Sequence, residues 1–218
     1  MKKYFLNFCL LFALITFFNS CGKEDSKKAM TTDSGVVING VKWATRNVDA
    51  PGTFAKTPEN AGMLYQWNRN IGWSAADPRV NSNGATVWDV TVPSGTKWEK
   101  VNDPSPAGWR VPTSSEIYSL CNREKVNVEW TTEKGITGMR FTDIVSGNSM
   151  FLPAINHRNN SDGTLSYCLG YWSSTKNRSG SSPTAYHLFF YDNTYVGDFV
   201  IVDDFPLRAG LPLRSVAE

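Results

Sequence analysis

The chain reads as an α+β domain: a small twisted antiparallel sheet, one or two short helices and long loops. Three observations predict it. Strand-like segments stand at both ends, one well-signalled helix sits between them, and the remainder is turn-rich yet too aromatic to be disordered. With 218 residues, 41% hydrophobic and 13% aromatic, the chain can bury one substantial core behind an N-terminal leader. Eight Trp, 17 Gly and 11 Pro suit a loop-rich fold, and a net charge of +2 with scattered basic residues gives no nucleic-acid footprint.

The leader comes first. Lys2 and Lys3 precede an apolar run from Tyr4 to Phe18, the layout of a secretory signal peptide over residues 1–20. At about fifteen residues the run falls short of the ~20 that span a bilayer. Phe18-Asn19-Ser20-Cys21-Gly22 resembles a bacterial lipobox, which makes Cys21 the expected lipidation site, with ordinary cleavage as the alternative. Residues 21–34, charged and poor in large apolar groups, are expected to be a flexible tether. Its Glu24-Asp25 pair is either a solvated linker or resembles the acidic signal that sends Bacteroidetes lipoproteins to the outer face of the outer membrane. The membrane would be met through the N-terminal lipid only.

The folded part is assigned to residues 35–218. Val36-Val37-Ile38, Asn39-Gly40 and Val41-Lys42-Trp43 spell a hairpin, because Asn-Gly supplies the positive φ values of a two-residue turn. Asn47 to Asn60 is turn-rich, and Gly62 to Asn68 gives an aromatic strand or short buried segment. From Ile71 to Pro106, Trp73, Trp88 and Trp98 stand among turn-forming residues. Pro112 bars helix upstream of Thr113, which with Glu116 forms a capping box, and Ile117, Leu120 and Cys121 make an apolar stripe expected to lie against the Trp-rich remainder. Val126 to Thr132 alternates, Met139 to Val145 reads as a strand with one wet face, and Met150 to Ala154 follows a turn at Asn148. Asn156 to Gly163 reads as a polar loop tip. Gly170 to Thr175 is a second aromatic strand, Lys176 to Thr184 a loop, Ala185 to Phe190 a strand, Tyr191 to Thr194 a turn and Tyr195 to Val202 a strand. Leu211 to Val216 closes the domain as a short strand that can pair with the first hairpin. Cys121 and Cys168, the cysteines of the folded part, are expected to be free buried thiols, with a bridge as the alternative.

Several of these stretches together resemble a known family. Ile38 to Asn47 (INGVKWATRN), Leu64-Tyr65-Gln66-Trp67, Pro106 to Thr113 (PAGWRVPT), Trp172-Ser173-Ser174-Thr175, Ala185-Tyr186 and Gly210 to Val216 (GLPLRSV) stand in the order of the Fibrobacter succinogenes major paralogous domain. The resemblance covers nearly all of Gly35 to Glu218 and implies a surface domain of Bacteroidetes-type bacteria, often on lipoproteins, without established activity. Gly108 to Thr113 and Leu213 to Val216 also resemble formylglycine-generating-enzyme-like domains, which implies a C-type-lectin-like architecture. Trp43, Trp67, Trp109, Arg110, Trp172 and Arg214 belong to the motifs and are assigned structural roles, the tryptophans in the core. The family commonly has Cys where this chain has Ser105 and Ser215, which implies a lost bridge and a junction held by packing alone.

His157 and His187 are the two histidines, without a His-Glu-x-x-His motif, and neither a Gly-x-Ser-x-Gly elbow nor a phosphate loop occurs. The closely spaced C-terminal Cys pair of formylglycine-generating relatives and the calcium-ligating triplets of sugar-binding C-type lectins are missing too. No catalytic residue, metal or cofactor is assigned. What remains is an aromatic and polar ligand-binding candidate: Tyr171, Lys176, Asn177, Arg178, Tyr186, His187, Tyr191, Asn193 and Tyr195, on or beside the late strands. Tyr and Asn give rigid contact area with adaptable hydrogen bonding. Strand alternation would turn half of them inward. The expected function is a non-catalytic, lipid-anchored outer-membrane binding module, surface-exposed and recognising a glycan or protein. A structural or tip subunit of a surface assembly, and less so a formylglycine-generating-type enzyme, are the alternatives.

Overall fold

The computed structural model describes residues 23–177, 182–191 and 199–218. Its elements are α1 (Lys23–Thr31), β1 (Val36–Ile38), β2 (Val41–Trp43), β3 (Leu64–Gln66), β4 (Gly72–Trp73), a 3-10 turn (Lys100–Asn102), β5 (Trp109–Arg110) and α2 (Ser114–Leu120). Then follow β6 (Val126–Glu133), β7 (Ile136–Asp143), β8 (Ser149–Pro153), β9 (His157–Arg158), β10 (Leu165–Ser166), β11 (Gly170–Lys176), β12 (Thr184–Tyr191), β13 (Phe199–Pro206), β14 (Gly210–Leu211) and β15 (Val216–Ala217). The α+β class stands, but the strands form four small sheets rather than one: β1-β2-β15-β5, β10-β9-β14-β3-β4, β11-β12-β13 and β6-β7-β8. Among the described residues every pairing is antiparallel.

The first hairpin forms as its turn dictates, with Asn39 at φ 45° and Gly40 at φ 78°. Val216 pairs with Trp43, so the last strand closes on the first hairpin. The capping box is complete: Thr113 Oγ1 accepts from the Glu116 amide, and the Glu116 carboxylate accepts from the Thr113 amide at 2.7 Å.

Among the described residues, three apolar clusters make the interior. The largest joins Ile117 and Leu120 of α2 to Ile38 and Trp43, to Val126, Met139, Phe141 and Leu152 of the β6-β7-β8 sheet, and to Tyr171, Leu188 and Phe190. So α2 lies on an aliphatic, Met and Phe surface rather than on a Trp-rich one. The tryptophans Trp67, Trp98 and Trp172 gather in a second cluster with Tyr65, Val111, Ala185, Leu211 and Leu213. A small third cluster holds Trp109 edge-on to Phe54 at 5.6 Å.

Two segments differ from what composition suggests. Residues 23–31, expected within a flexible tether, are the helix α1. No apolar stripe holds it; its C-terminal carbonyls are captured from outside. The Phe54 amide donates to Met30 O at 2.5 Å and Arg46 Nη1 to Ala29 O at 3.2 Å. Just beyond, the Asp33 carboxylate accepts from the Gly35 and Thr45 amides, Thr45 Oγ1 and Arg46 Nε. The second segment is the expected loop tip. His157 and Arg158 form β9 and are buried, because Arg158 reaches across to residues 74–77 and donates to Ser74 O, Ala76 O and Asp77 Oδ1, as well as to Gly163 O. The tip is confined to residues 159–163. There Gly163 (φ 70°) lies under Trp88, leaving no room for a Cβ, which would meet that indole at 2.5 Å.

Candidate functional site

The β11-β12-β13 sheet has the largest cluster on one face and the Trp cluster on the other. Along β11 from Gly170 to Ser173 and along β12, alternation therefore sends side chains toward one core or the other rather than into one core and water, whereas Asp203 and Asp204 of β13 are exposed. Tyr171 and His187, expected on the ligand face, are each only 2% exposed, and both assignments are corrected. Tyr171 belongs to a buried node. Its Oη donates to Pro153 O at 3.0 Å and accepts from Asn47 Nδ2 at 3.1 Å. Arg214, 1% exposed, donates from Nε to Asn47 Oδ1 (2.9 Å), from Nη1 to Ala44 O (3.2 Å) and from Nη2 to Phe151 O (3.1 Å). Burial pushes the Tyr171 phenol up to about 12 and lowers the Arg214 guanidinium. Three motifs of the sequence, around Asn47, Tyr171 and Arg214, thus meet at one point. The Ser105 and Ser215 hydroxyls lie 2.8 Å apart in a hydrogen bond, so that junction is not held by packing alone.

His187 sits on the opposite face, its ring 5.0 Å from Phe205, with His157 5.1 Å from the same ring. His187 Nδ1 bonds Asp203 O at 3.1 Å, while buried Nε2 of His187 and Nδ1 of His157 have no hydrogen-bond partner among the described residues. Burial lowers both imidazoles, His187 to about 4.

Indole hydrogen bonds carry this frame to the protein surface. Trp67 Nε1 donates to Ser173 O at 3.1 Å and Trp172 Nε1 to Tyr65 O at 2.7 Å. They brace β11 against β3, and the far end of β11 becomes a fixed hub. The Trp98 amide donates to Ser174 O (2.9 Å), the Ser174 amide to Pro112 O (2.6 Å), the Ser114 amide to Thr175 Oγ1 (3.0 Å) and Lys176 Nζ to Gly95 O (3.1 Å). The Asn177 amide donates to Thr184 O at 3.0 Å and joins the end of β11 to the start of β12.

Beside this hub lies a groove of 490 Å³ lined by Lys97, Glu99, Lys100, Asp103, Arg110 and Glu218, with Trp98, Val111, Thr113 and Ser174. Most of its charges are matched. Arg110 grips Glu116 through Nη1 to Oε2 (2.9 Å) and Nη2 to Oε1 (2.6 Å), Lys100 pairs with Glu218, and Asp103 accepts the Ser105 and Val111 amides. Burial would raise the Glu116 carboxyl, yet the bonds from Arg110 and Thr113 hold it below its ordinary range. Lys97 and Glu99 form no ion pair among the described residues. Such a groove offers donors and acceptors without a net field, which suits a polyhydroxyl or polar peptide group better than a highly charged one.

Of the predicted ligand residues, Lys176, Asn177 and Tyr186 are half-buried, with Lys176 tied to Gly95 and Asn177 to Thr184. Tyr191 ends β12 opposite Phe199. Arg178, Asn193 and Tyr195 lie outside the described residues, as do residues 1–20 of the expected signal peptide, Cys21 and residues 192–194 of the expected turn. Trp43, Trp67, Trp109 and Trp172 are all buried, as expected of core positions. Sequence reasoning missed Lys97 and Glu99, whose only signal was a stretch too long for a plain connector. Cys121 and Cys168 are unbridged. Burial pushes both thiols up to about 11, away from the thiolate that nucleophilic chemistry needs. Among the described residues no His, Cys, Asp and Glu cluster could hold a metal, and no helix is long and apolar enough to cross a membrane.

No protein-family model matches the chain, and neither does any curated protein or solved structure.

Proposed function

We propose that this chain is a lipid-anchored bacterial cell-surface binding module of C-type-lectin-like architecture, related to the Fibrobacter succinogenes major paralogous domains. It recognises a glycan or a protein with the face where β11 ends and carries no catalysis of its own. One observation carries this reading. The hub at Ser173 to Lys176 holds residues 95–98 and residues 112–114 side by side, over a charge-balanced groove. A braced strand that fixes neighbouring irregular segments is the arrangement by which scaffolds separate recognition from folding. The high thiol pKa values weigh against an enzyme built on Cys121 or Cys168.

The test is a glycan array and a pull-down from envelope extracts with the full chain, repeated with Lys97→Glu and Glu99→Lys. Retained ligand that both variants lose supports the reading; no retained ligand, or retention untouched by both, counts against it. The alternative of a surface-assembly subunit draws support from the eight-residue strands β6 and β13 at the outer positions of their sheets. The Asp203 carboxylate already takes the Asp204 amide at 2.8 Å, which blunts the β13 edge. A strictly monomeric species in membrane extracts would exclude it.

A further inference from the structure

A second cavity, of 710 Å³, lies between α1 and the segment 46–62 and shares no lining residue with the groove. It exists because α1 is fastened at one end. Its C-terminal carbonyls are captured by the Phe54 amide and by Arg46, while Ser26, Lys27, Lys28 and Ala29 remain exposed. Small residues keep the floor low: Ala55, Ala61 and Gly62. Gly62 (φ 67°) has no freedom to grow, since a Cβ there would stand 2.2 Å from Val48 O.

The charges around this space are unevenly answered. Arg46 has its donors committed to Asp33, Ala29 O, Ala55 O and Thr32 O, and the Asp33 carboxylate matches its charge. Asp49 is different. Half-buried, its carboxylate accepts the Ala50 amide and pairs with no cation among the described residues, and burial raises its pKa. Lys56 on the same lining is exposed and forms no ion pair among the described residues either. A floor of methyl groups and backbone, one unanswered anion and one unanswered cation are complementary to a small molecule with a compact apolar body and both charges. The volume falls within the ~300–1,000 Å³ of small-molecule sites.

We infer that the cavity beneath α1 binds a small zwitterion of the amino-acid or short-peptide class, its ammonium on Asp49, its carboxylate toward Lys56 and its side chains on Ala55, Ala61 and Gly62. The ammonium supplies the counter-charge that a half-buried carboxylate lacks, so the Asp49 contact dominates and the exposed Lys56 contact adds less.

Calorimetric titration of the full chain with trialanine, N-acetyl-trialanine and trialanine amide tests this, with amide chemical shifts of Ala55, Ala61 and Gly62 as a second readout. Trialanine is expected to bind and to move those amides, acetylation to weaken it at least about tenfold, and amidation to weaken it by a smaller factor. Asp49→Asn should erase the preference for the free ammonium, and Lys56→Met the preference for the free carboxylate. Ala29→Trp, at an exposed roof position, should block the space and abolish trialanine binding with the melting temperature unchanged. It carries the test should Asp49→Asn fail to fold. Equal binding of trialanine and its N-acetyl form overturns the inference. So does the absence of heat and of shift changes with about 10 mM trialanine. Neither result bears on the groove beside β11.

Discussion

Two polar clusters are buried on opposite faces of the β11-β12-β13 sheet, and they are built to different standards. At Arg214, Asn47 and Tyr171, each of the three guanidinium nitrogens has an acceptor and the phenol both gives and takes a hydrogen bond. Around Phe205, the two histidines keep one ring nitrogen each without a partner among the described residues. A satisfied network in low dielectric fixes geometry, whereas an unsatisfied one leaves a group that gains from reaching water. The first cluster is therefore the frame of the domain, and the second is where it is most easily loosened.

The largest expected effect tests the frame. Arg214→Met keeps much of the volume but strands Asn47 Oδ1, Ala44 O and Phe151 O in the core, and should cost about 3–5 kcal/mol. Tyr171→Phe, which leaves only Pro153 O and the Asn47 amide short of one partner each, should cost about 1–2 kcal/mol. Urea denaturation midpoints at constant slope read both. The contrast between the clusters fails if Arg214→Met is the milder change.

Next comes acid. The folded His187 imidazole lies at about 4, below the ordinary 6.5, because burial penalises its charged form. Between those values the unfolded chain binds the proton first, so stability rises with pH there. The contribution is whole above pH 6.5, drains away as pH falls toward 4 and changes no further below that. It amounts to about 3 kcal/mol. Asp203, Asp204 and His157 are the charged or titratable groups felt by that ring; the first two oppose the shift and His157 adds to it. His187→Phe should flatten the profile between pH 6.5 and 4 while costing at most about 1.5 kcal/mol at pH 7, the bond to Asp203 O being all it forfeits. An unchanged slope in that variant would place the sensitivity elsewhere.

What was legible in the sequence was local. Asn39-Gly40 carries its turn in two residues, and Thr113 to Glu116 carries a helix start in four, so each could be read without knowing the fold. Tyr171 and His187 could not, because period-2 alternation says which residues share a face but not that both faces are covered. α1 was hidden for a related reason: its caps come from Arg46 and the Phe54 amide, beyond any window over residues 23–31. Arg158 finds all its partners but Gly163 O more than 80 positions away, and polar neighbours disguised it as loop. The groove beside β11 was illegible because its lining comes from separate stretches, with Glu218 among them.

A third change closes the frame more firmly. Ser105 and Ser215, 110 positions apart, already meet at 2.8 Å. Joining them as Ser105→Cys with Ser215→Cys should raise stability by about 2 kcal/mol after oxidation, less than the loop length alone would give because the native backbone must accommodate the bridge. The gain should vanish with reductant. A double variant that oxidises but loses stability would mean that this junction tolerates no tightening, against its place in the satisfied frame.

The smallest effect concerns a cluster that is satisfied yet peripheral. Asp33 has a side chain only 1% exposed, accepts from the Gly35 and Thr45 amides and Thr45 Oγ1, and pairs with Arg46. Arg46 in turn lies over the Phe54 ring at 5.4 Å and holds the end of α1. Asp33→Asn keeps the shape and one carbonyl oxygen but removes the charge, so Arg46 loses its counter-ion while the core is untouched. The expected cost is about 1 kcal/mol, confined to α1 and residues 32–34. Limited proteolysis and hydrogen exchange should show faster cleavage and exchange over residues 23–34, with the global denaturation midpoint nearly unmoved. A global loss comparable to that of Arg214→Met would mean that α1 belongs to the frame itself. Satisfied hydrogen bonding, rather than depth in the core, would then decide what holds this domain together.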